Sequence, residues 1–477
     1  MANFGKAAFS ATLWAGAGRA GRSIAQAVFM LVLANAIGPS GFAASSIALI
    51  GYQLSSTLAT QSFSMALVRY SEPDDRRDAA AFWLNLGLTF VSFVCAALVG
   101  LPVAEWLSLP SLVWLLPLMT GLGLIAAPTV LAQAQMSRMM AFRPLAQIET
   151  VSSIVSAACG CLAAIGGLGI YALVVYAGMQ RLIEVVGFVR HAPVWPKALP
   201  ERKEVRALVH FTLPLAGMQV LTFANGSIDQ FFVGQVGTPT SLGYYGLARR
   251  FSQQPTQMIT FAINRAIYPA FVHLDKEPEE QAAFFMRSIR LSLIVASLPL
   301  FLLALIAGDL LSLLMGSTWQ AAGPYLALFA ATSSVLPLGG VLAAALRAKG
   351  HTALQMLFQL VRLVVITLAL GIMVWLEADI WTLALTVALL SVMALILPLW
   401  EVVRVFDLSW PRVGREILVG LAPATIMVLG VLLLDRYAVA GTPVFAQIAC
   451  EIAIGALLGG LAGLAVLKRV KVLGIPS

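Results

Sequence analysis

Long apolar stretches separated by short polar segments run along the whole chain. Most of them hold 18 or more residues, enough for a helix to cross roughly 30 Å of hydrocarbon. The pattern predicts fourteen membrane-spanning helices, which we number as spans 1 to 14 in chain order. Their limits are 8–36, 41–68, 80–104, 111–135, 145–167, 169–190, 207–235, 242–270, 288–307, 322–346, 353–375, 378–400, 416–434 and 443–467.

Basic residues alternate between successive loops, as the positive-inside rule describes for membrane proteins. Of the 30 Lys and Arg residues, 22 fall in loops on one predicted side, whereas only Arg436 falls in a loop on the other. An even number of spans returns the chain to its starting side. The sequence therefore predicts an all-α polytopic membrane protein with both termini in the cytoplasm.

The composition excludes several other classes of protein. Hydrophobic residues make up 60% of the chain and charged residues 11%, against roughly 25% charged in a soluble domain. The net charge of +8 follows from the basic cytoplasmic loops, so it does not indicate nucleic acid. The N-terminus lacks the compact apolar core of a signal peptide and is interpreted as the lead-in to span 1. The Cys and His residues show no ligand spacing, so no metal is expected.

The longest hydrophilic stretch, residues 190–206, suggests a division of the chain. We expect two seven-helix halves around a central cavity. The expected domains are an N-terminal lobe at 1–190, a cytoplasmic linker at 191–206, a second lobe at 207–400 and a C-terminal helix pair at 401–477. The sequence also aligns with itself at an offset of 200 residues, and this alignment predicts an internal repeat. It pairs Pro39 with Pro239, Gln53 with Gln253, Thr57 with Gln257, and Ser64 with Asn264.

Arginines inside the predicted spans carry the strongest chemical signal. A charge near the bilayer centre costs roughly 2.5–3.5 kcal/mol on insertion scales, so it usually faces a partner or a water-filled cavity. Seven arginines lie within spans: Arg19, Arg22, Arg181, Arg249, Arg250, Arg265 and Arg362. Only three acidic residues were counted well inside spans: Glu184, Asp229 and Glu451.

This imbalance predicts a cationic cavity. Arg181 and Glu184, three residues apart on one helix, are expected to pair with each other. Asp229 can then neutralise only one of the remaining arginines. Because guanidinium groups match phosphate oxygens bidentately, the expected occupant is a phosphate-bearing anion. Uncharged polar residues also recur at intervals of three or four and form one polar face on span 2 (Gln53, Thr57, Ser64) and one on span 8 (Gln253, Gln257, Asn264). For any single Ser or Thr, hydrogen bonding between helices is the favoured interpretation.

Two further features bear on mechanism. Pro255 stands in the middle of span 8, where it is expected to kink the helix and to serve as a hinge. The chain contains no phosphate-binding loop and no hydrolase motif. We therefore expect no ATP hydrolysis, no cofactor and no enzymatic activity.

The stretch from Ser227 to Phe271 carries a resemblance. Its residues Asp229, Gly234, Gly237, Leu242-Gly243-Tyr244-Tyr245, Ala248, Pro255 and Pro269 resemble the motif that opens the second half of polysaccharide-type (Wzx-like) flippases. These flippases belong to the multidrug/oligosaccharidyl-lipid/polysaccharide exporter superfamily. The sequence LANAIGPSGFA at 33–43 is similar to the matching first-half turn, although Asn35 stands where a basic residue is often found.

The resemblance implies a flippase in the bacterial inner membrane. Its cargo would be an undecaprenyl-diphosphate-linked oligosaccharide for exopolysaccharide or O-antigen biosynthesis, moved by ion-coupled alternating access. The implied partners are this lipid-linked glycan, membrane lipids, and glycan polymerase and export machinery. The expected headgroup contacts are Arg19, Arg22, Arg249, Arg250, Gln53, Gln253, Gln257 and Asn264, and Asp229 is the expected coupling residue.

Three alternatives stay open from the sequence. A lipid II flippase carries the same diphosphate lipid. A drug or cation antiporter of the same superfamily would favour an acidic cavity, which the excess of arginine opposes. A membrane-embedded glycosyltransferase or polymerase needs catalytic acids in loops, and we find none in this sequence.

Overall fold

The computed structural model of the chain describes residues 2–58, 62–68, 74–139, 141–192, 195–196, 198–274, 278–437 and 444–468. The regular structure of these residues is entirely helical. The chain divides into two compact units, Met1–Gly246 and Leu247–Ser477. The boundary lies near the start of predicted span 8 rather than in the hydrophilic stretch at 190–206, which follows span 6. The predicted lobes at 1–190, 207–400 and 401–477 stay a prediction.

The first unit contains eight helices and the beginning of a ninth. They are α1 (Ala2–Ser56), α2 (Ser62–Val68), α3 (Asp75–Trp106), α4 (Leu112–Ile125), α5 (Thr129–Arg138), α6 (Phe142–Ile165), α7 (Ala172–His191), α8 (Arg202–Val236) and α9 (Pro239–His273), which continues into the second unit. The second unit also contains α10 (Pro278–Leu305), α11 (Ala307–Met315), α12 (Gly323–Ser333), α13 (Pro337–Ala348), α14 (Thr352–Trp375), α15 (Ile380–Met393), α16 (Ile396–Val405), α17 (Trp410–Tyr437) and α18 (Val444–Lys468).

Length and composition make this a multi-pass membrane protein. Within the described residues, eleven helices are long and apolar enough to cross a membrane. A twelfth span results if α4 and α5, bent by 51° at their break, are one element. The helix α9 does not pass the same test, because it carries the polar residues of predicted span 8.

Several predicted loops and spans are wrong in detail. Spans 1 and 2 are joined through a single residue, Gly38, whose φ of 67° lies in the left-handed region that glycine enters at little cost. Pro39 then begins the next helical stretch, where its missing N–H is not needed. Span 4 is broken between α4 and α5, whereas span 10 remains one candidate span from Ser317 to Ala348, with a short turn between α12 and α13. The helix α13 begins at Pro337, a position where the missing N–H of proline is not needed.

The two turns related by the predicted repeat lie against each other in the first unit. An added Cβ at Gly243 would lie only 1.9 Å from the carbonyl oxygen of Pro39. An added Cβ at Gly246 would lie 3.0 Å from Oγ of Ser46, which is its partner under the 200-residue shift. This close backbone approach requires glycine at position 243.

Polar contacts also join α8 to α3 within the first unit. Nε of Arg77 donates to Oε2 of Glu204 at 3.3 Å. At the start of α3, the backbone N–H groups of Arg77 and Arg76 donate to Asp74 Oδ1 at 3.1 and 2.9 Å. These two bonds, that of Arg77 foremost, hold the pKa of Asp74 below its usual value. Asp74 is thus a charged N-cap for the helix.

The second unit has a core where the ends of α9, α10 and α16 meet. Phe271 and Phe285 are fully buried there, and the rings of Phe285 and Phe406 stack with centroids 5.7 Å apart. Ile289 and Val413 bring α10 and α17 into the same core. This packing fixes one face of α10 and α17 and leaves their other faces outside it.

We predict that Gly243→Val destabilises the protein by about 1–3 kcal/mol, because the added atoms overlap the backbone of Pro39 and the helix must shift. Gly217→Val is the matched control, since an added Cβ at Gly217 meets nothing within 4 Å. Thermal unfolding of the purified protein in detergent measures both. Equal melting temperatures for the two variants would contradict the close approach.

Candidate functional site

A polar cavity of about 470 Å³ opens within the first unit. We call it the Arg22 cavity. Helices α1, α2, α5, α6 and α7 all contribute to it. Its lining residues are Arg22, Tyr52, Gln53, Ser56, Thr57, Ser64, Gln133, Glu149, Gln180, Arg181 and Glu184.

Arg181 is held on one wall of this cavity by three hydrogen bonds. Its Nε donates to the Tyr52 hydroxyl at 2.5 Å, and its Nη2 donates to Ser56 Oγ at 2.8 Å. Its Nη1 forms a 3.0 Å ion pair with Glu184, as the sequence predicted. Because the pair is mostly shielded from solvent and its hydrogen bonds are satisfied by neighbours, Arg181 is a fixed part of the wall.

Arg22 forms a different kind of ion pair across the cavity. Its Nη1 lies 2.9 Å from Oε2 of Glu149 on α6, and the two side chains remain 33% and 24% exposed. An exposed pair of this kind contributes only about 0–1 kcal/mol. A stronger anionic partner entering the cavity can therefore replace Glu149 on Arg22.

These pairs correct the predicted charge of the cavity. Each of its two arginines, Arg22 and Arg181, has a glutamate beside it, so the Arg22 cavity is balanced in charge rather than cationic. Glu149 was not among the carboxylates predicted inside spans, because it lies close to the start of predicted span 5. Its position within the helix Phe142–Ile165 was the signal that would have revealed it.

Asp229 lies elsewhere in the first unit. It is 1% exposed, and its Oδ2 accepts a 2.6 Å hydrogen bond from the hydroxyl of Tyr245. Tyr245 is completely buried and comes from the LGYY motif on α9. The sequence predicts an arginine as the partner of Asp229, and the structure adds Tyr245. The coupling role of Asp229 stays a prediction.

The remaining predicted residues lie on the part of α9 that belongs to the second unit. Arg249 is buried, and its guanidinium lies 5.2 Å from the ring centroid of Phe329 on α12, within the range of a cation–π contact. Arg250 and Gln253 are half-buried, whereas Gln257 is exposed. The helix α9 runs through Pro255 without interruption, so a hinge at that residue stays a prediction.

Asn264 marks the closest contact of α9 with α13. An added Cβ at Gly340 would lie 3.0 Å from both Asn264 Nδ2 and Thr260 Cγ2. The hydroxyl of Thr260 itself donates to the carbonyl of Thr256 at 2.7 Å. The hydroxyl of Thr260 is therefore used within its own helix, whereas the substrate contact expected of Asn264 stays a prediction.

The structure thus brings together some of the predicted residues. Arg22 and Gln53 line one cavity, together with Thr57 and Ser64 of the same predicted polar face. The side chain of Arg19 lies outside the part of the chain that is described. Among the described residues, no group of three or more His, Cys, Asp or Glu side chains is arranged to hold a metal ion.

Two solved structures have a similar fold. The fold is similar to that of the lipid II flippase MurJ in its inward closed conformation, with a TM-score of 0.75, 11% identity and coverage of 97% of this chain and 99% of that one. It is also similar to an inward-facing multidrug resistance MATE family transporter of the MOP superfamily, with a TM-score of 0.64, 13% identity and coverage of 81% and 94%.

Sequence comparison gives the family. Residues 32–324 match the family described as polysaccharide biosynthesis protein, and the chain belongs to this family. It is 24% identical over 336 residues to the succinoglycan biosynthesis transport protein ExoT of Rhizobium meliloti (strain 1021), covering 70% of this chain and 68% of that protein. It is 20% identical over 335 residues to the lipopolysaccharide biosynthesis protein WzxC of Escherichia coli (strain K12), covering 69% and 68%. The resemblance stated from the sequence is confirmed.

We predict that Arg181→Met destabilises the protein by about 3 kcal/mol, because it leaves the Glu184 carboxylate buried without its partner. The double variant Arg181→Met, Glu184→Leu removes both charges and should recover part of this loss. The melting temperatures of the two purified variants in detergent measure their stabilities. A double variant less stable than the single one would contradict the fixed pair.

Proposed function

We propose that the protein is a flippase that moves undecaprenyl-diphosphate-linked oligosaccharide repeat units across the bacterial inner membrane. The glycan serves exopolysaccharide or O-antigen biosynthesis. Membership of the polysaccharide biosynthesis family and the transport relatives support the substrate class, and the MurJ-like fold supports movement of a lipid-linked cargo. In this proposal the chain transports its substrate unchanged and needs no cofactor.

The exposed Arg22–Glu149 pair is the observation that carries the proposal. The diphosphate of the lipid carrier has two phosphate groups that match the guanidinium fork of Arg22 better than one carboxylate does. The substrate therefore displaces Glu149, which is then released to take up a proton or a cation. Arg181 remains bonded to Tyr52, Ser56 and Glu184 and keeps the wall in place. The cavity is emptied when Glu149 returns to Arg22.

Other residues of the predicted site complete this scheme. Gln53 offers hydrogen bonds in the Arg22 cavity. Arg19, Arg249, Arg250, Gln253, Gln257 and Asn264 are proposed as further contacts for the diphosphate or the sugar. Asp229 is proposed as the coupling residue for an ion gradient, because a buried carboxylate inside a membrane protein is a typical position for a group that responds to ions, and its state alters the hydrogen bond from Tyr245. Pro255 is proposed as the hinge.

The topology we propose has fourteen spans with both termini in the cytoplasm. Counting α1 as two spans that meet at Gly38 adds one to the twelve described above, and α9 supplies the last. Its 35 residues are long enough to cross a bilayer, although its polar face keeps it below the hydropathy expected of an isolated span. The division after Gly246 then leaves seven spans on each side.

A lipid II flippase is the second candidate. The fold shared with MurJ favours it, and its cargo carries the same diphosphate lipid. Deletion of the gene distinguishes the two candidate functions. Loss of a lipid II flippase arrests cell-wall synthesis, whereas loss of a polysaccharide flippase removes one polymer. The drug antiporter is less well supported, because the similarity in fold to the MATE transporter is lower, with a TM-score of 0.64 against 0.75 for MurJ.

We predict that Arg22→Ala, Arg249→Ala and Arg250→Ala each lower polymer output by about tenfold or more, the effect of losing a charge-assisted phosphate contact. The lipid-linked intermediate should accumulate on the cytoplasmic face. The amount of exported glycan measures function, and immunoblotting of membranes measures insertion of the protein. Arg404→Ala is the matched control, since that side chain is 70% exposed and lies outside the site. Undiminished polymer output from all three site variants would rule out the anion site.

We predict that Asp229→Asn separates coupling from folding. The amide oxygen still accepts the Tyr245 hydrogen bond, so the protein should keep its melting temperature, whereas the charge that responds to protons is gone. In proteoliposomes, flipping by this variant should no longer increase when a proton or sodium gradient is imposed. Tyr245→Phe, which retains the carboxylate, is the control. Gradient-driven flipping by Asp229→Asn at the wild-type rate would remove Asp229 from the coupling scheme.

A further inference from the structure

A charged cavity also lies in the second unit, and none of its lining residues belongs to the proposed transport site. Helices α10 and α17 form it, with a volume of about 330 Å³. Its charged lining residues are Arg287, Arg290, Arg412, Arg415 and Glu416. We call it the α10–α17 arginine site. Four arginines face a single carboxylate there, so the site is strongly cationic.

Glu416, the carboxylate of this site, is paired with Arg290. Nε of Arg290 donates to Oε2 of Glu416 at 2.5 Å, and Nη2 of the same guanidinium contacts the same oxygen. Both side chains of this pair are largely buried. Glu416 therefore neutralises Arg290 and leaves the other three guanidiniums without compensation from this site.

Arg287, Arg412 and Arg415 are exposed. Within the described ranges, none of their guanidinium groups forms an ion pair or a hydrogen bond. Arg412 and Arg415 are three residues apart on α17 and thus lie on adjoining positions of one helix surface. Three exposed guanidiniums around one small cavity repel one another, and a multivalent anion relieves that repulsion.

Tight packing holds the two helices in this arrangement. An added Cβ at Gly420 would lie 2.9 Å from the Cβ of Leu293 and 3.2 Å from the carbonyl oxygen of Arg290. One turn from this contact, the Arg290–Glu416 pair joins the helices again. Ile289 and Val413 are buried in the core on the inner side. The arginines therefore project from a rigid, preformed surface.

The position of the site along the helices indicates a membrane surface. Apolar sequence begins directly after it on both helices, at residues 291–305 of α10 and 417–434 of α17. Four exposed apolar side chains follow Arg415 on the same face of α17 at helical spacing. They are Leu418, Ile426, Leu429 and Leu433. A headgroup on the arginines would place its acyl chains along this apolar face.

We propose that the α10–α17 arginine site binds the phosphate groups of an anionic phospholipid of the surrounding bilayer. Basic pockets between membrane-spanning helices suit such headgroups, and guanidinium binds phosphate oxygens bidentately. Three free guanidiniums favour a headgroup with two phosphates, of which cardiolipin is the test case. The bound lipid joins α10 to α17 at the membrane surface, and this role does not depend on the proposed transport function.

Native mass spectrometry of the full-length protein in a neutral detergent tests the proposal with added cardiolipin. We expect wild-type protein to retain cardiolipin, and Arg287→Gln, Arg412→Gln, Arg415→Gln combined to bind it about 100-fold more weakly. The matched control is Arg190→Gln, Arg202→Gln, Arg404→Gln, which removes the same charge from exposed positions on three different helices, α7, α8 and α16. It should change binding by less than about threefold. Melting temperatures without lipid, equal for all three proteins, show that the substitutions leave the fold intact.

Several results would overturn the assignment. Equal losses in the two triple variants would show general attraction to basic residues rather than a site. Displacement of cardiolipin by inorganic pyrophosphate at equal concentration would show that a soluble anion suffices. Tighter binding of undecaprenyl diphosphate than of cardiolipin at the same arginines would assign the site to the cargo instead of the bilayer.

Discussion

The cost of a charge in hydrocarbon is the constraint on which this structure depends. Every arginine in or near an apolar span needs a carboxylate, an aromatic face or a watery cavity. Arg181 is enclosed by Tyr52, Ser56 and Glu184, and Arg249 lies against the ring of Phe329. Helix positions follow from these contacts, because a helix cannot rotate without returning its charge to lipid. The polar residues thus orient helices that are otherwise uniformly apolar.

The same constraint separates structural charges from functional ones. Arg181 is mostly shielded and fully bonded, so its ion pair belongs to the scaffold. Arg22 faces Glu149 while about a third of its side chain is exposed, so its ion pair can exchange at little cost. Arg287, Arg412 and Arg415 lie near the ends of apolar helices, where we propose that lipid phosphates are their partners. The solvent exposure of each arginine and the group that it contacts therefore decide its role.

Sequence reasoning was accurate where a property repeats along the chain and failed where it depends on one contact. The apolar periodicity located the helices, yet it did not show that Gly38 replaces a loop or that span 4 breaks between α4 and α5. The polar residues inside the spans predicted that Arg22 and Gln53 line a cavity, but they did not reveal the contacts of Glu149 and Tyr245. No local pattern distinguishes a carboxylate that meets an arginine from one that faces solvent.

The sequence by itself determined the class of this protein. Hydrophobic length specifies the membrane helices, and the motif around Asp229 specifies the family, because both are properties of neighbouring residues. Only the tertiary structure decided which residues share a cavity, how its charges balance and where α10 and α17 gather their arginines. Arg22 and Glu149 are far apart in the chain, as are Arg290 and Glu416. Their pairing exists only once distant helices have packed, since it depends on helix rotation and close approach at glycines such as Gly420.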